Sequence, residues 1–292
     1  MLTLAGHSAA VRCVAFSGDG AFLASGGDDG SVCLWDLRTR TTFWATAETM
    51  SRSIEAVAFT PDSKTVLAGD SQGKLFCFAR LRLRRVLALS AHTSGVRAIL
   101  PHPDGSRFLT TGWNKEVCTW TLKRSKRSRL CTLPEAPASA ALSPDGATLA
   151  IGLSQSNRVL LIDAQSGTAR TSLAKGDGSV HAVAFSPDGS LVASGNASGQ
   201  IGLWELVNPV RLRVLEGHTW PVYGLAFTPD GRRLISASAD KTARVWDVGS
   251  GRELHVYQWH KTWMTSLAIA PDGLTVATGG DDKMVSVWDV PE

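Results

Sequence analysis

Seven copies of one short unit fill the chain from end to end, which confines it to folds in which neighbouring units bury one another. The copies align on the aspartate of xPDG-like tetrads: Asp19, Asp62, Asp104, Asp145, Asp188, Asp230 and Asp272, at successive spacings of 43, 42, 41, 43, 42 and 42 residues. A second marker keeps step near the end of each unit: Trp35, Phe78, Trp120, Ile162, Trp204, Trp246 and Trp288, at spacings of 43 and then 42 throughout. A period of this length held over seven units reads as a closed array of small supersecondary units. The sixth unit shows the local pattern most cleanly. Residues 222–227 (VYGLAF) read as a strand, and Thr228-Pro229-Asp230-Gly231 reads as a type I turn with Pro at its second position and Gly at its fourth. Residues 232–238, 243–247 and 252–258 read as three more strands, separated by polar or Gly-rich turns. No helical period appears, so the chain is expected to be all-β.

The 292 residues are 43% hydrophobic, enough for a core, and the seven units leave no room for a second domain. No run reaches the roughly 18 apolar residues of a membrane span. The start, Met1-Leu2-Thr3-Leu4-Ala5-Gly6-His7, lacks the basic and apolar regions of a signal peptide. The five cysteines (Cys13, Cys33, Cys77, Cys118, Cys131) are odd in number and never at CxxC spacing, which fits small apolar fillers in a reducing, cytoplasmic setting. Asn196-Ala197-Ser198 matches a glycosylation acceptor, read as accidental without a secretory signal.

The Trp-Asp endings and the unit length resemble the WD40 family over the whole chain. The resemblance implies a seven-bladed β-propeller with four antiparallel strands per blade. The expected blades are 8–49, 52–91, 94–134, 137–176, 178–217, 220–259 and 262–290, the last completed by residues 1–5. The N-terminal strand thus closes the ring. The chain fits this ring so closely that a domain of a larger protein is one expectation. The family also implies a buried network of His, Ser or Thr, Asp and Trp in each blade. Three units carry it in full: His7, Ser25, Asp29, Trp35; His218, Ser236, Asp240, Trp246; and His260, Thr278, Asp282, Trp288. The third unit has a variant with asparagine: His92, Thr110, Asn114, Trp120. The fifth keeps Ser194 and Trp204, and the second and fourth have lost nearly all of it. Trp only donates, aspartate only accepts, and His and Ser do both, so the four together leave no buried group unpaired. Because the constellation recurs, it reads as structural rather than as a hydrolase triad.

No HExxH, GxxxxGK[ST], GxSxG or Cys-His metal spacing is present, so no enzyme, cofactor or metal is expected. Asp28 and Asp281 are the free acids of paired aspartates in blades that meet on closure; a cation there is the weaker reading. Function is expected on the face bearing the His and Asp turns. The residue five places after each His position gives Arg12, Glu55, Arg97, Ala138, His181, Tyr223 and Thr265. The residues before the turn aspartates add Asp28, Trp113 and Asp281, and the loops before the first strands add Trp220 and Trp263. Exposed aromatics with arginine are the composition of binding hot spots. The alternative for Trp220 and Trp263 is packing between blades. Two basic runs, Arg80, Arg82, Arg84, Arg85 and Lys123, Arg124, Lys126, Arg127, Arg129, follow the third strands of blades 2 and 3 and are expected to form one patch on the rim or the opposite face. The alternative for them is a solvated connection. The reading is a monomeric, non-catalytic scaffold for a protein or peptide partner, standing alone or within a larger chain. Two alternatives remain: a ligand, metal or catalytic site at the channel mouth, and anion, nucleic-acid or membrane binding through the basic patch.

Overall fold

The computed structural model describes residues 1–39, 41–43, 52–80, 84–121, 126–173 and 178–290, with backbone alone at 41–43, 84 and 85. These residues form seven four-stranded antiparallel sheets, each a simple meander apart from the last. The first strands are Val11–Phe16, Ile54–Phe59, Val96–Pro101, Pro137–Leu142, Val180–Phe185, Val222–Phe227 and Met264–Ile269. Each packs against the first strand of the next sheet, and the seventh packs against the first, so the sheets stand as blades around a channel. In the sixth blade the remaining strands are Arg233–Ser238, Ala243–Asp247 and Glu253–Tyr257, within a residue of the sequence reading.

The seventh sheet takes its outer strand from the other end of the chain. Leu2–Ala5 pairs with Met284–Asp289 in the register Leu2 to Val287 and Leu4 to Val285. Leu4 is buried beside Val285, Val11 and Trp35, so the closing strand is pinned by side chains as well as by its ladder.

The hydrophobic core is divided among the interfaces between blades. One cluster joins Phe22 and Leu34 to Ile54 and Phe59, another joins Leu203 and Leu215 to Leu225 and Trp246, and the other five interfaces repeat the arrangement. Second strands are therefore covered on both faces, and Phe22–Gly27 is buried at every residue. Blades approach closely where a second strand carries glycine: a Cβ on Gly26 would lie 2.4 Å from Ile54, and one on Gly195 would lie 2.7 Å from Val222. The tetrad turns close as expected, with Gly231 at φ 69° donating to Thr228 O at 2.8 Å. In blade 2, Ser63 takes the glycine place at φ 56°.

The polar network forms in four blades, with one departure from expectation. In blade 1, Trp35 Nε1 donates to Ser25 Oγ at 2.9 Å, Ser25 Oγ lies 2.8 Å from His7 Nε2, and His7 Nδ1 faces Asp29 at 3.0 Å. The chain has one consistent proton arrangement: imidazole Nδ1–H to the carboxylate, and the serine hydroxyl to Nε2. Blade 6 repeats it through Trp246, Ser236, His218 and Asp240. Blade 3 does so through Trp120, Thr110, His92 and Asn114. Asn114 supplies no negative charge, and burial pushes His92 down to about 4. In blade 7, His260 joins Thr278 and Asp282, but Trp288 Nε1 has no partner among the described residues. The full network read there from sequence is thus one member short. The indole packs instead against Tyr257 of blade 6, with ring centroids 4.7 Å apart. Blade 5 keeps the Trp204 to Ser194 bond at 2.8 Å. Phe78 and Ile162, in the tryptophan places of blades 2 and 4, are buried without a polar partner to satisfy.

Candidate functional site at the channel mouth

Every first strand carries a bulge at the same place. The register against the second strand slips between Val11 and Cys13, Ile54 and Ala56, Val96 and Ala98, Pro137 and Ser139, Val180 and Ala182, Val222 and Gly224, and Met264 and Ser266. The extra residues are Arg12, Glu55, Arg97, Ala138, His181, Tyr223 and Thr265. A bulged residue leaves the ladder and its side chain is re-aimed. All seven line one cavity of about 250 Å³ at the channel axis. The bulges also free backbone carbonyls, which the neighbouring blade satisfies: Ser139 Oγ donates to Val180 O at 3.0 Å, and Thr265 Oγ1 donates to Val11 O.

The arc of blades 7, 1 and 2 is an ion-paired belt. Arg12 Nε donates to Asp28 Oδ1 at 2.8 Å, and its Nη1 lies 3.3 Å from Asp281 Oδ1 across the closing seam. Asp28 also accepts from Ser53 Oγ at 2.7 Å, and Ser53 Oγ contacts Glu55 at 3.0 Å. The Arg12 hydrogen bond holds the Asp28 carboxyl below its ordinary value, and Asp28 in turn holds the Arg12 guanidinium above its own. A guanidinium thus sits between the two acids that sequence suggested as a cation site.

The arc of blades 3 to 6 differs. Arg97 Nε donates to Ala138 O at 2.7 Å, its guanidinium lies 5.7 Å from the Trp113 ring centre, and its Nη1 is 4.0 Å from Glu55. Burial pulls the Arg97 guanidinium below its ordinary value. His181 packs on Tyr223 with ring centroids 5.0 Å apart, and burial, then the Arg97 charge, keeps it below the usual histidine range. Trp220, Trp263 and Trp113 are 54%, 45% and 43% exposed, so none is packed away between blades. Trp220 and Trp263 face each other at 6.1 Å.

The basic runs are less free than their sequence suggests. Arg80 donates to Asp19 of blade 1 at 2.6 Å and lies 4.5 Å from the Phe22 ring centre, which ties two blades together. Arg127 and Arg129 reach Glu116 at 2.6 and 3.4 Å. Three of the nine cations are therefore ion-paired. Lys126 is exposed; Arg84 and Arg85 lie on the outer strand Arg84–Ser90, and Arg82, Lys123 and Arg124 lie outside the described residues. His92, Glu116 and Cys118 bring ligand atoms within 4.8 Å of one another. Arg127 engages two of them, donating to Glu116 at 2.6 Å and to Cys118 Sγ at 3.3 Å, and the His92 nitrogens serve the network. All five cysteines are free, and burial lifts the Cys77 thiol to about 11, which suits packing better than nucleophilic work. Asn196 is buried and caps its own turn, accepting from Ser198 N at 3.1 Å and Gln200 N at 2.9 Å. Sequence reasoning passed over an aromatic row along and just beyond the outer strand of blade 6, His255, Tyr257 and then Trp259 past its end, stacked at 6.1 and 5.7 Å. Its signal is the alternation of rings at every second residue. No helix among the described residues is long and apolar enough to cross a membrane.

A family model for the WD domain, G-beta repeat, matches residues 1–36, 83–121, 169–205, 209–247 and 251–289. The gaps hold the tryptophan places filled by Phe78 and Ile162. Periodic tryptophan protein 2 of Arabidopsis thaliana is 27% identical over 73% of this chain and 24% of its own length. Serine-threonine kinase receptor-associated protein of Gallus gallus is 26% identical over 70% of this chain and 57% of its own. Echinoderm microtubule-associated protein-like 3 of Homo sapiens is 25% identical over 68% of this chain and 22% of its own. The chain spans less than two thirds of each of these relatives.

Proposed function

The chain belongs to the WD40 repeat family, and from that premise we propose that it is a non-catalytic platform binding a peptide segment of a protein partner at its channel mouth. The observation that carries the reading is the convergence of seven bulged side chains with the exposed rings of Trp113, Trp220 and Trp263 on one rigid face. Large exposed rings on a packed scaffold are unusual outside interaction sites. Because the blades hold them in place, little ordering entropy opposes binding. The names of two relatives, one receptor-associated and one microtubule-associated, support protein binding in the same sense. A cytoplasmic setting belongs to this reading and is supported by the five free thiols. Free cations such as Lys126 leave anion binding at the rim as a minor, salt-sensitive activity, weakened by the pairing of Arg80, Arg127 and Arg129.

The test is partner capture by the immobilised propeller, compared with a Tyr223→Ala, Trp263→Ala double variant that melts as the parent does. Capture is expected to weaken by about 1–3 kcal/mol per hot-spot ring. Equal capture of every partner by the folded double variant moves the site off this face.

A further inference from the structure

The two arcs of the mouth are chemically unlike, and the difference specifies what an occupant must carry. In the arc of blades 7, 1 and 2 the acids Asp281, Asp28 and Glu55 are each already engaged by Arg12 or Ser53. In the arc of blades 3 to 6 the bulged residues Arg97, Ala138, His181 and Tyr223 include no acid. Nor do the residues before the turns, Trp113, Gln155, Ala197 and Ala239. In blade 4, Glu135 is turned to its own loop, accepting from Gln155 N at 3.1 Å and Ser156 N at 3.0 Å.

Arg97 is the centre of this donor-rich arc. Only its Nε makes a hydrogen bond among the described residues, to Ala138 O, and that bond fixes the plane of the guanidinium. Glu55, at 4.0 Å, is beyond hydrogen-bond reach. Both terminal nitrogens therefore keep donors to spare on a side chain only 25% exposed. A guanidinium in this position seeks a planar, bidentate anion. Tyr223 and His181 line the same cavity with their rings in contact, and His181 Nε2 lies 3.2 Å from Ser179 Oγ, which leaves the phenol hydroxyl and the second imidazole nitrogen to face an occupant.

We infer that the Arg97 side of the channel mouth seats a carboxylate of the bound peptide, either an Asp or Glu side chain or a free chain terminus. This rests on the platform reading above. The exposed rings of Trp113 and Trp220 then flank the peptide on either side of the inserted acid and take apolar neighbours. Asp28 and Asp281, held by Arg12 in the opposite arc, disfavour a second carboxylate there, so one acid at one position is the required pattern.

The experiment uses nonamer peptide pools, random except at the centre, which is fixed as Glu, Gln, Lys or phosphoserine, all acetylated and amidated. A further Gln pool carries a free C-terminus. Retention on the immobilised propeller is compared for the parent, Arg97→Gln, Arg97→Lys, Lys126→Ala and the Tyr223→Ala, Trp263→Ala double variant, each checked by thermal melting. The Glu pool or the free-terminus pool is expected to be retained about tenfold over its Gln or amide counterpart, the scale of one charge-assisted bidentate contact. Which of the two is enriched identifies the source of the carboxylate. Arg97→Gln is expected to erase the preference, Arg97→Lys to keep part of it, and Lys126→Ala to leave it intact. Equal retention of all pools, a Lys or phosphoserine preference, or a Glu preference that survives Arg97→Gln overturns the inference. Pools retained without regard to Arg97 but lost in the double variant would overturn the inference and spare the platform. Pools held undiminished by the folded double variant would sink both.

Discussion

At the scale of single residues, the same motif letter has different worth in different blades. Trp246 and Trp288 occupy equivalent places, yet among the described residues only Trp246 has a hydrogen-bond partner, Ser236 at 2.8 Å. Trp246→Phe is therefore expected to cost about 1 kcal/mol more than Trp288→Phe in chemical denaturation, the net value of a buried hydrogen bond. Equal losses would show that the indole contributes by bulk alone. Position 114 offers a second contrast. Burial, with only an uncharged asparagine opposite it, keeps His92 neutral in the folded chain down to about 4, below its ordinary value of 6.5. Between those two pH values the unfolded chain takes up a proton that the folded chain refuses, so stability is full above 6.5 and falls as pH drops towards 4. His92→Gln is expected to flatten that part of the stability profile, measured by denaturant midpoints at successive pH values. The motif positions were readable in sequence because they recur at a fixed offset from the tetrad aspartate. Their bonding was not: whether Trp288 turns to Thr278 or packs on Tyr257 depends on the adjacent blade. Arg80 illustrates the same limit, because its partner Asp19 is far off in sequence and belongs to the blade before.

At the scale of a blade, packing and polar bonding are distributed unevenly. Blades 2 and 4 have Phe78 and Ile162 in the tryptophan place and lack the buried Trp–Ser–His–Asp chain, keeping local turn bonds such as Lys74 N to Asp70 and Ser156 N to Glu135. Amide exchange is expected to be faster in their inner strands, Ile54–Phe59 and Pro137–Leu142, than in those of blades 1 and 6, where the four-membered network pins the second strand to the turns. Uniform protection around the ring would show that the network adds nothing to packing. The strands were legible because xPDG turns punctuate an apolar alternation. The bulges were not, since nothing marks Arg12 or Tyr223 as extra to the ladder. Counting from the motif nevertheless reached all seven, because the bulge falls at the same distance in every unit.

At the scale of the whole molecule, closure depends on four residues. Leu2–Ala5 supplies the last strand of the seventh blade, and Leu4 enters the cluster between blades 7 and 1. Deleting residues 1–5 exposes that cluster and leaves an open edge on Met284–Asp289. The melting temperature is expected to fall by roughly 10 °C or more, as several kcal/mol are lost from a domain of this size. A deletion that melts within a degree or two of the parent would show that the Arg12 to Asp281 contact and the inner strands close the ring by themselves.

The seven bulges give the molecule something like a dial with seven settings. Each dial position stands clear of the ladder and, except for the buried Ala138, is only partly covered, while the residue before it is buried in the blade interface. The letters that touch a visitor are thereby separated from the letters that hold the ring together. Such a chain can be re-addressed to a new visitor by rewriting a few symbols, with the frame that displays them left as it was. Drift in the frame, as in blades 2 and 4, need not alter the message.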